Sequence, residues 1–398
     1  MSRTGGHGLD AGRSDRARRV ASWVGAALLC LSVVPAWSQF VPSETRASSH
    51  RGLIDPEFNH TKNQLTWVDL SGNIWVGGID KATGELVPRS GRGKLIERGA
   101  APEGGLGFTL NGPEWVYGGT TDRIVYTRQL SGLPETPMNA RIGVAWQKPD
   151  GKWTRRTLSP DVPLNGPYGS ENVGDPRPTI SYNDAFGNRF WRELDRPETE
   201  EALPGLPQAQ FPVARFARGQ RAAVYVVNVG GTDQVFRYDL DTKAFDQLTD
   251  GIGTKEQPWM WAAPEFGGEQ VMMATVAQRN LVLYRKGQDP LDPNRWAPWS
   301  SIRAPLDGRF FSTEPFTFDG KSYVVMMIIV GDYPTSIWVA GFDPDTPLLR
   351  RLTPELPDRA RADPEVFITD AGPIVFFGRY DPRKGSYWLC SACAEASV

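Results

Sequence analysis

A proline beside an acidic or polar residue recurs directly ahead of hydrophobic segments along this chain. The clearest examples are "DPEFNHTKNQLTWVDL" from Asp55, "STEPFTFDGKSYVVMMI" from Ser312 and "DPEVFITDAGPIVFFGRY" from Asp363. With looser versions included, the marked prolines are Pro56, Pro113, Pro176, Pro212, Pro258, Pro315 and Pro364. If each of the seven prolines starts a repeat unit, roughly 360 residues give units of about 51 residues. The sequence therefore predicts a repeat protein rather than a chain with one continuous core.

The segments between these prolines have the composition of β-strands. Ala222–Val229, Asn280–Lys286 and Ser322–Val330 are rich in β-branched and aromatic residues and show no helical period. The 42 Gly and 33 Pro residues separate such runs. The sequence therefore predicts an all-β protein of short antiparallel strands. A repeat of about 51 residues is close to the length of a β-propeller blade, whereas a solenoid needs a tighter repeat.

The expected fold is a seven-bladed β-propeller with one reduced blade, and a six-bladed ring with long insertions is the alternative. The reduced blade is expected at 194–210, where acidic residues and prolines replace the hydrophobic runs. We expect this segment to be a long surface connection. The last unit is also short by one outer strand, which the chain near Gln39–Val41 can supply by pairing the two ends of the ring.

Three segments resemble the WD40-like repeats of TolB-type β-propellers. They are "VFRYDLDTKAFDQLTDG" from Val235, "SIWVAGFDPDTPLLRRLTPE" from Ser336 and, more weakly, "NIWVGGIDKATGELV" from Asn73. Units of those propellers end in "LT", and the next blade opens with a proline. The resemblance covers about three blades and implies a fold, because its motifs are architectural.

The first 38 residues are expected to be a signal peptide that is removed. Arginines, among them Arg18 and Arg19, precede the apolar run "VASWVGAALLCLSVVPAW", which ends at the small residues Ala36 and Ser38. An uncleaved membrane anchor is the alternative, but Pro35 interrupts the run and it is short for a span. The predicted mature protein is a single propeller domain, 39–398, in the periplasm or outside the cell, with no integral membrane segment.

Charge and cysteine content exclude several functions. The whole chain has a formal charge of −2 and the leader carries five Arg and two Asp, so about −5 remains for the mature chain. Nucleic-acid binding is not expected, because no basic residues cluster. Cys390 and Cys393 remain in "CSAC", and they are interpreted as a small disulfide or two inert thiols rather than a redox pair.

The acidic residues beside the prolines are the candidate site. In a propeller, the loop that leads into an inner strand opens beside the central channel, so carboxylates there would converge. The candidates are Asp55, Asp175, Glu256, Glu314 and Asp363. Each could instead cap a turn or pair with an arginine. Converging carboxylates repel one another and have raised pKa values, which favours acid/base chemistry or cation binding.

A second resemblance points towards sugar chemistry. "IDPEF" and "TEPF" are similar to the acidic-proline motifs of five-bladed furanosidase propellers, in which an Asp of the first blade is the base and a Glu before Pro is the acid. Glycoside hydrolysis needs such a carboxylate pair. Glu314 lies about five blades after Asp55 instead of two, so the mechanism is not transferred. Asp55, Glu314 and Asp363 are the candidate catalytic residues.

Substrate-binding candidates come from residues near these acids. Trp259 and Trp261 follow Glu256, and alternation would place both on one face, where they could stack on a sugar or pack in the core. Arg177, Arg189 and Arg192 could hold an anionic substrate or simply neutralise nearby acids. Asp175, Arg177 and Glu256 complete the candidate substrate-binding residues. No metal or cofactor is expected, since only His50 and His60 remain in the mature chain.

The sequence leaves two functions open. The first is a protein that binds a carbohydrate, or another small or oligomeric ligand, at an acidic channel mouth, with glycosidic-bond cleavage as the expected chemistry if it is an enzyme. The second is a non-catalytic interaction scaffold of the TolB type. Whether the chain is an enzyme is not decided by the sequence.

Overall fold

The computed structural model describes residues 42–50, 52–100, 112–205, 214–331, 333–356, 358–381, 383 and 386–394. The predicted leader, 1–38, lies outside these ranges. The described residues form antiparallel β-sheets connected by turns, with three short 3-10 helices at Pro137–Asn139, Pro264–Phe266 and Pro305–Asp307. No helix in these ranges is long and apolar enough to cross a bilayer.

The strands are grouped into seven sheets, which we number as blades. The first strand of the chain is β1 (Thr45–Arg46). Blade 1 contains β2 (Ile54–Asn59), β3 (Gln64–Val68), β4 (Ile74–Ile79), β5 (Leu86–Val87) and β6 (Lys94–Glu97). Blade 2 contains β7 (Glu114–Val116), β8 (Arg123–Gln129), β9 (Ala140–Gln147) and β10 (Trp153–Thr157). Blade 3 contains β11 (Leu164–Gly169), β12 (Thr179–Asp184), β13 (Arg189–Glu193) and β14 (Arg196–Ala202).

The second half of the chain repeats this organisation. Blade 4 contains β15 (Arg215–Phe216), β16 (Ala222–Val229), β17 (Thr232–Asp239) and β18 (Phe245–Gln247). Blade 5 contains β19 (Lys255–Ala263), β20 (Glu269–Val276), β21 (Asn280–Arg285) and β22 (Ala297–Arg303). Blade 6 contains β23 (Arg309–Phe318), β24 (Lys321–Val330), β25 (Tyr333–Gly341) and β26 (Leu348–Arg351). Blade 7 contains β27 (Ala360–Thr369), β28 (Gly372–Asp381), β29 (Ser386–Cys393) and β1.

The first strand of each blade lies at the centre of a ring. β2, β7, β11, β15, β19, β23 and β27 each contact the first strands of the two neighbouring blades, and β27 contacts β2. Seven sheets arranged in this way are a seven-bladed β-propeller, as the proline period predicts.

The ring is closed by pairing the beginning of the described chain with its last strand. β1 lies antiparallel to β29, with Thr45 opposite Ser391, and forms the outermost strand of blade 7. The predicted closure is therefore confirmed, a few residues after Gln39–Val41. Glu44, just before β1, accepts hydrogen bonds from Arg361 at 2.9 Å and Arg379 at 2.5 Å. This closure removes an exposed sheet edge.

The hydrophobic core lies between the blades. The buried clusters combine residues of adjacent sheets, such as Trp261 of blade 5 with Met326 of blade 6. Middle strands are therefore apolar on both faces, and β24 is buried along most of its length. Outer strands are polar because solvent reaches them.

The predicted reduced blade is wrong, since blade 3 has four strands. Residues Arg196–Ala202 form its outermost strand, β14, and not a long surface connection. Its side chains are mostly exposed, so no hydrophobic run marks it. Pro176 lies between β11 and β12, and the proline of the innermost strand is Pro167. Pro212 lies outside the described residues.

Cys390 and Cys393, the cysteines of the described ranges, are free thiols. Cys390 and Cys393 are three residues apart in β29, so their side chains point to opposite faces of the blade. Cys390 is buried and Cys393 is exposed. Burial raises the pKa of Cys390 to about 11, which keeps this thiol protonated and unreactive at neutral pH.

Candidate functional site

A β-bulge interrupts the innermost strand at the same point in several blades. The pairing register shifts between Ile54 and Glu57 in blade 1, and equivalent shifts precede Tyr168, Trp259, Glu314 and Glu365. A bulge bends its strand and re-aims the next side chain. The residue directly after the bulge therefore occupies the same position in each of these blades.

The backbone at the bulge adopts a left-handed conformation. Asp55, Ser312 and Asp363 have φ values of 51°, 46° and 48° in blades 1, 6 and 7. Aspartate tolerates this region better than most residues because its short side chain bonds locally. Glu314 is therefore equivalent to Glu57 and Glu365 and not to Asp55 or Asp363.

Four glutamates on adjacent blades form one half of the ring centre. Glu114 follows Gly112 and Pro113 in blade 2 as Glu57 follows Asp55 and Pro56 in blade 1. Blades 6, 7, 1 and 2 are consecutive around the ring. We call this set the carboxylate arc, and its members are Glu314, Glu365, Glu57 and Glu114.

Asp55 is fixed beside the arc by the backbone of blade 2. The Gly112 amide donates a hydrogen bond of 2.6 Å to the Asp55 Oδ2 atom. A Cβ atom on residue 112 would lie 2.1 Å from this oxygen, so only glycine allows the contact. The sequence "NGPEW" thus contains both Gly112, whose amide binds Asp55, and Glu114, the next glutamate of the arc.

Burial and mutual repulsion favour protonated carboxyl groups at this centre. Burial raises the pKa of Glu57 and Glu365 well above the ordinary value, and neighbouring carboxylates raise it further. Burial also raises the pKa of Asp363 to about 7, with a contribution from Asp55. At neutral pH the centre therefore holds protons that exposed carboxylates would have lost.

Glu314 and Glu365 interact at the ring centre, and we call them the glutamate dyad. Burial raises the pKa of Glu365, and the charge of Glu314 and its hydrogen bonding raise it further. Glu314 also forms an ion pair with Arg218 at 3.0 Å, while the other side of Arg218 lies 2.6 Å from Glu171. One member of the dyad is thus linked to a cation and the other has a raised pKa, so the two carboxyl groups differ in their chemistry.

The opposite half of the centre is aromatic and basic. Tyr168 and Trp259 occupy the position after the bulge in blades 3 and 5. Arg215 lies over the Trp259 ring at 4.4 Å and over the Tyr168 ring at 5.7 Å, and Arg218 lies 4.9 Å from Trp259. The ring centre is therefore polarised, with carboxylates on one side and arginines on the other.

The structure brings together three of the predicted residues. Asp55, Glu314 and Asp363 lie at the ring centre and influence one another electrostatically. Asp175 and Arg177 do not join them, because Asp175 pairs with Arg221 at 2.9 Å and Arg177 with Asp241 at 2.9 Å. The prediction of Asp175 and Arg177 as binding residues depends on Pro176, which lies between them, starting an innermost strand. Pro176 is not in an innermost strand.

The remaining predicted residues have structural contacts. Glu256 precedes the bulge of blade 5 and accepts a hydrogen bond from Gln278 at 3.2 Å. Trp259 and Trp261 are only 6% and 3% exposed. The Trp259 indole N–H donates to the Thr313 carbonyl oxygen, and that of Trp261 donates to Ser322. Both tryptophans therefore pack between blades 5 and 6, which was the alternative to sugar stacking.

Sequence reasoning missed Glu57, Glu114, Glu365, Arg218 and Tyr168. A signal for the glutamates exists, because "DPEF", "GPEW" and "DPEV" all place Glu directly after the proline. Among the described residues, no group of three or more His, Cys, Asp or Glu side chains is arranged to hold a metal ion.

No protein-family model matches the sequence, and no curated protein matches it significantly. The β-propeller domain of Cps50 (Swd1) from Myceliophteria thermophila is similar in structure, with a TM-score of 0.51, 12% identity, and coverage of 87% of this chain and 99% of that domain. The chain is a β-propeller. TolB from Acinetobacter baumannii has a TM-score of 0.38 and 15% identity, covering 81% of this chain and 76% of TolB. The dihydro-heme d1 dehydrogenase NirN has a TM-score of 0.49 and 12% identity, and the match covers 91% of this chain and 76% of NirN.

The similarity to the Cps50 (Swd1) domain agrees with the predicted propeller fold. Identities of 12% to 15% do not carry a function from these proteins to this chain. The site must therefore be interpreted from its own residues.

The raised pKa of Asp363 predicts a pH dependence of stability. The folded chain keeps a proton up to about pH 7, whereas the unfolded chain loses it near 3.8, so the free energy of unfolding falls as the pH rises through this window. Asp363→Asn removes the titration, and asparagine tolerates the positive φ. Because the side chain is partly accessible, we expect the variant to be about 2 kcal/mol more stable than wild type at pH 7.5 and equal at pH 4.

Urea unfolding at both pH values measures this difference. The matched control is Asp370→Asn, since Asp370 lies in the same blade with 63% of its side chain exposed. Parallel pH profiles for wild type and Asp363→Asn would show that burial of this carboxyl group has no energetic consequence.

Proposed function

We propose that this chain is a secreted or periplasmic β-propeller that binds a carbohydrate at the ring centre and cleaves a glycosidic bond by acid/base chemistry. The observation that supports this proposal is the carboxylate arc, in which glutamates of adjacent blades meet at the ring centre and burial raises the pKa of Glu57 and Glu365. Sugar hydroxyls donate hydrogen bonds to carboxylate oxygens, and several acids on adjacent blades provide acceptors around one ligand.

The dyad is assigned the role of general acid. Glu365, with its raised pKa, can hold a proton near neutral pH and transfer it to the leaving oxygen of a glycosidic bond. The ion pair with Arg218 gives Glu314 a different environment, so the two groups need not compete for the same role.

A second carboxylate is needed on the other side of the scissile bond. Two hydrogen-bonded carboxyl groups are closer than the separation of about 5 to 9 Å that glycoside hydrolysis uses, so the dyad acts as one unit. Asp55 and Asp363 form a second coupled pair at the same centre. This pair is the candidate base, which retains the catalytic assignment of Asp55, Glu314 and Asp363 and adds Glu365.

The test is a panel of neutral and acidic oligosaccharides offered to the purified protein, with binding measured by calorimetry and products by chromatography. We expect at least one glycan to bind and to release a product. The matched control is Glu256→Gln. Glu256 lies before the bulge and outside the arc, so this variant should bind and cleave as wild type does.

Two other outcomes contradict parts of the proposal. Binding without any product would limit the function to carbohydrate recognition. A folded protein that neither binds nor cleaves any glycan would instead support the alternative of a non-catalytic interaction scaffold, in which the buried acids serve only the architecture.

A further inference from the structure

Arg189, at the start of β13, is a buried arginine without a hydrogen-bond partner. The residue is 2% exposed. In the part of the chain that the structure describes, none of its three guanidinium nitrogens has a hydrogen-bond partner. Arg361 provides a contrast. It is 0% exposed but forms an ion pair with Glu44 at 2.8 Å.

An arrangement of this kind is costly for the unliganded protein. A buried guanidinium that lacks an acceptor loses its hydration without replacement. Burial lowers the pKa of Arg189 to about 9, so the group still carries its charge at neutral pH. A charge retained under these conditions indicates that an acceptor comes from outside the fold.

Arg189 lies beside the ring centre, on the side opposite the carboxylate arc. Its guanidinium is 5.9 Å from the Tyr225 ring of blade 4 and interacts electrostatically with Tyr168. Tyr168 in turn is influenced by Arg215 and by Glu114. Arg189 is therefore within electrostatic reach of Tyr168, the side chain that blade 3 contributes to the ring centre.

A neighbouring polar atom is also unsatisfied. Asn183 lies directly opposite Arg189 on β12, and its buried Oδ1 atom has no hydrogen-bond partner in the described residues. The two side chains face the same blade surface but are not bonded to each other. Rotation of the Asn183 amide would present a donor beside the guanidinium.

We infer that Arg189 is an anion-binding subsite of the ring centre and that the ligand is an acidic carbohydrate, a sugar carrying a carboxylate. This inference rests on the proposed function. A single planar guanidinium matches the two oxygens of a carboxylate in a bidentate pair. A dianion such as a phosphate monoester would meet stronger repulsion from the arc.

The first test is the stability of the unliganded protein. Arg189→Met keeps the length and apolar stem of the side chain and removes the charge. We expect its thermal midpoint to equal or exceed that of wild type, because no partner is lost. The matched variant Arg361→Met should lower the midpoint, because it removes one of the two cations that the buried Glu44 pairs with and leaves only Arg379. If Arg189→Met is destabilised like Arg361→Met, the arginine is structural and the inference is wrong.

The second test uses ligands of defined charge. Glucuronate- and galacturonate-containing oligosaccharides are compared with neutral and sulfated oligosaccharides of the same length by calorimetry, in wild type, Arg189→Lys and Arg189→Met. We expect wild type to bind the carboxylated series at least about tenfold more tightly than the neutral series. The preference should be weaker in Arg189→Lys and absent in Arg189→Met. A preference for sulfated sugars would overturn the carboxylate assignment.

Sodium acetate separates this inference from the proposed function. Acetate should raise the thermal midpoint of wild type but not of Arg189→Met. If it does so and no oligosaccharide binds, the anion subsite stands and its assignment to a carbohydrate fails together with the proposed function. If neutral and acidic sugars bind equally in wild type and Arg189→Met, the proposed function stands and the Arg189 subsite is overturned.

Discussion

Replacement of Glu365 by glutamine is expected to remove catalysis and to stabilise the fold. Glutamine keeps the shape of the side chain but can neither ionise nor transfer a proton. Loss of a general acid costs about 10² to 10⁴ in rate, or roughly 3 to 5 kcal/mol of barrier lowering. Because burial and three neighbouring carboxylates oppose ionisation of Glu365, its neutral replacement should raise the thermal midpoint.

Two further variants make this result specific. Glu314→Gln should lose activity to a similar extent but be less stabilised, since Arg218 would keep only Glu171 as a charged partner. Glu269→Gln, with 67% of the side chain exposed, should change neither property. A lowered midpoint together with unchanged turnover in Glu365→Gln would assign this residue a purely structural role.

Replacement of Glu44 by alanine is expected to weaken the closure of the ring. Its side chain is 8% exposed and lies 2.8 Å from Arg361 and 2.5 Å from Arg379. Removing one member of a buried ionic network leaves the other charges uncompensated and costs about 3 to 5 kcal/mol. Urea unfolding followed by tryptophan fluorescence would measure the change.

The control for Glu44 is an exposed ion pair. Glu85 lies 2.9 Å from Arg89, but the two side chains are 52% and 82% exposed, so Glu85→Ala should cost less than about 1 kcal/mol. Equal unfolding midpoints for Glu44→Ala and Glu85→Ala would mean that strand pairing alone holds blade 7 closed.

The architecture could be predicted because its signals repeat. Prolines near 51-residue intervals and the apolar runs between them are local features, and seven repeats of them predict the ring. Blade 3 was misinterpreted for a physical reason. Its outermost strand, Arg196–Ala202, is solvated and carries no hydrophobic pattern, so composition could not distinguish it from a loop.

The candidate site could be predicted only in part. The neighbouring prolines identified Asp55, Glu314 and Asp363 as site residues. The same proline pattern, however, treats Glu314 as the equivalent of the two aspartates, whereas the structure makes it the equivalent of Glu57 and Glu365. In β23 the bulge falls at Ser312 and Thr313, two residues earlier relative to the proline than in β2. Sequence spacing does not reveal such a shift, because the bulge is defined by pairing with the next strand.

The arginines could be assigned from sequence only in part. Arg189 is, with Arg177 and Arg192, a residue that could hold an anionic substrate or neutralise nearby acids, whereas Arg218, in "FARGQR", gives no signal. What distinguishes them is burial and the presence or absence of a partner from another blade. Both properties depend on contacts between residues far apart in the chain.

The repeated bulge also separates the chemistry of this protein from its folding. The side chains after it in five blades are Glu57, Tyr168, Trp259, Glu314 and Glu365, and Glu114 has the corresponding place after a proline in blade 2. Trp259 belongs to the core between blades 5 and 6, but the glutamates lie outside the hydrophobic clusters, so they can be exchanged without disturbing the packing that holds the ring. Descendants of this gene could therefore acquire a different ligand by single substitutions, one blade at a time, while remaining foldable at every step.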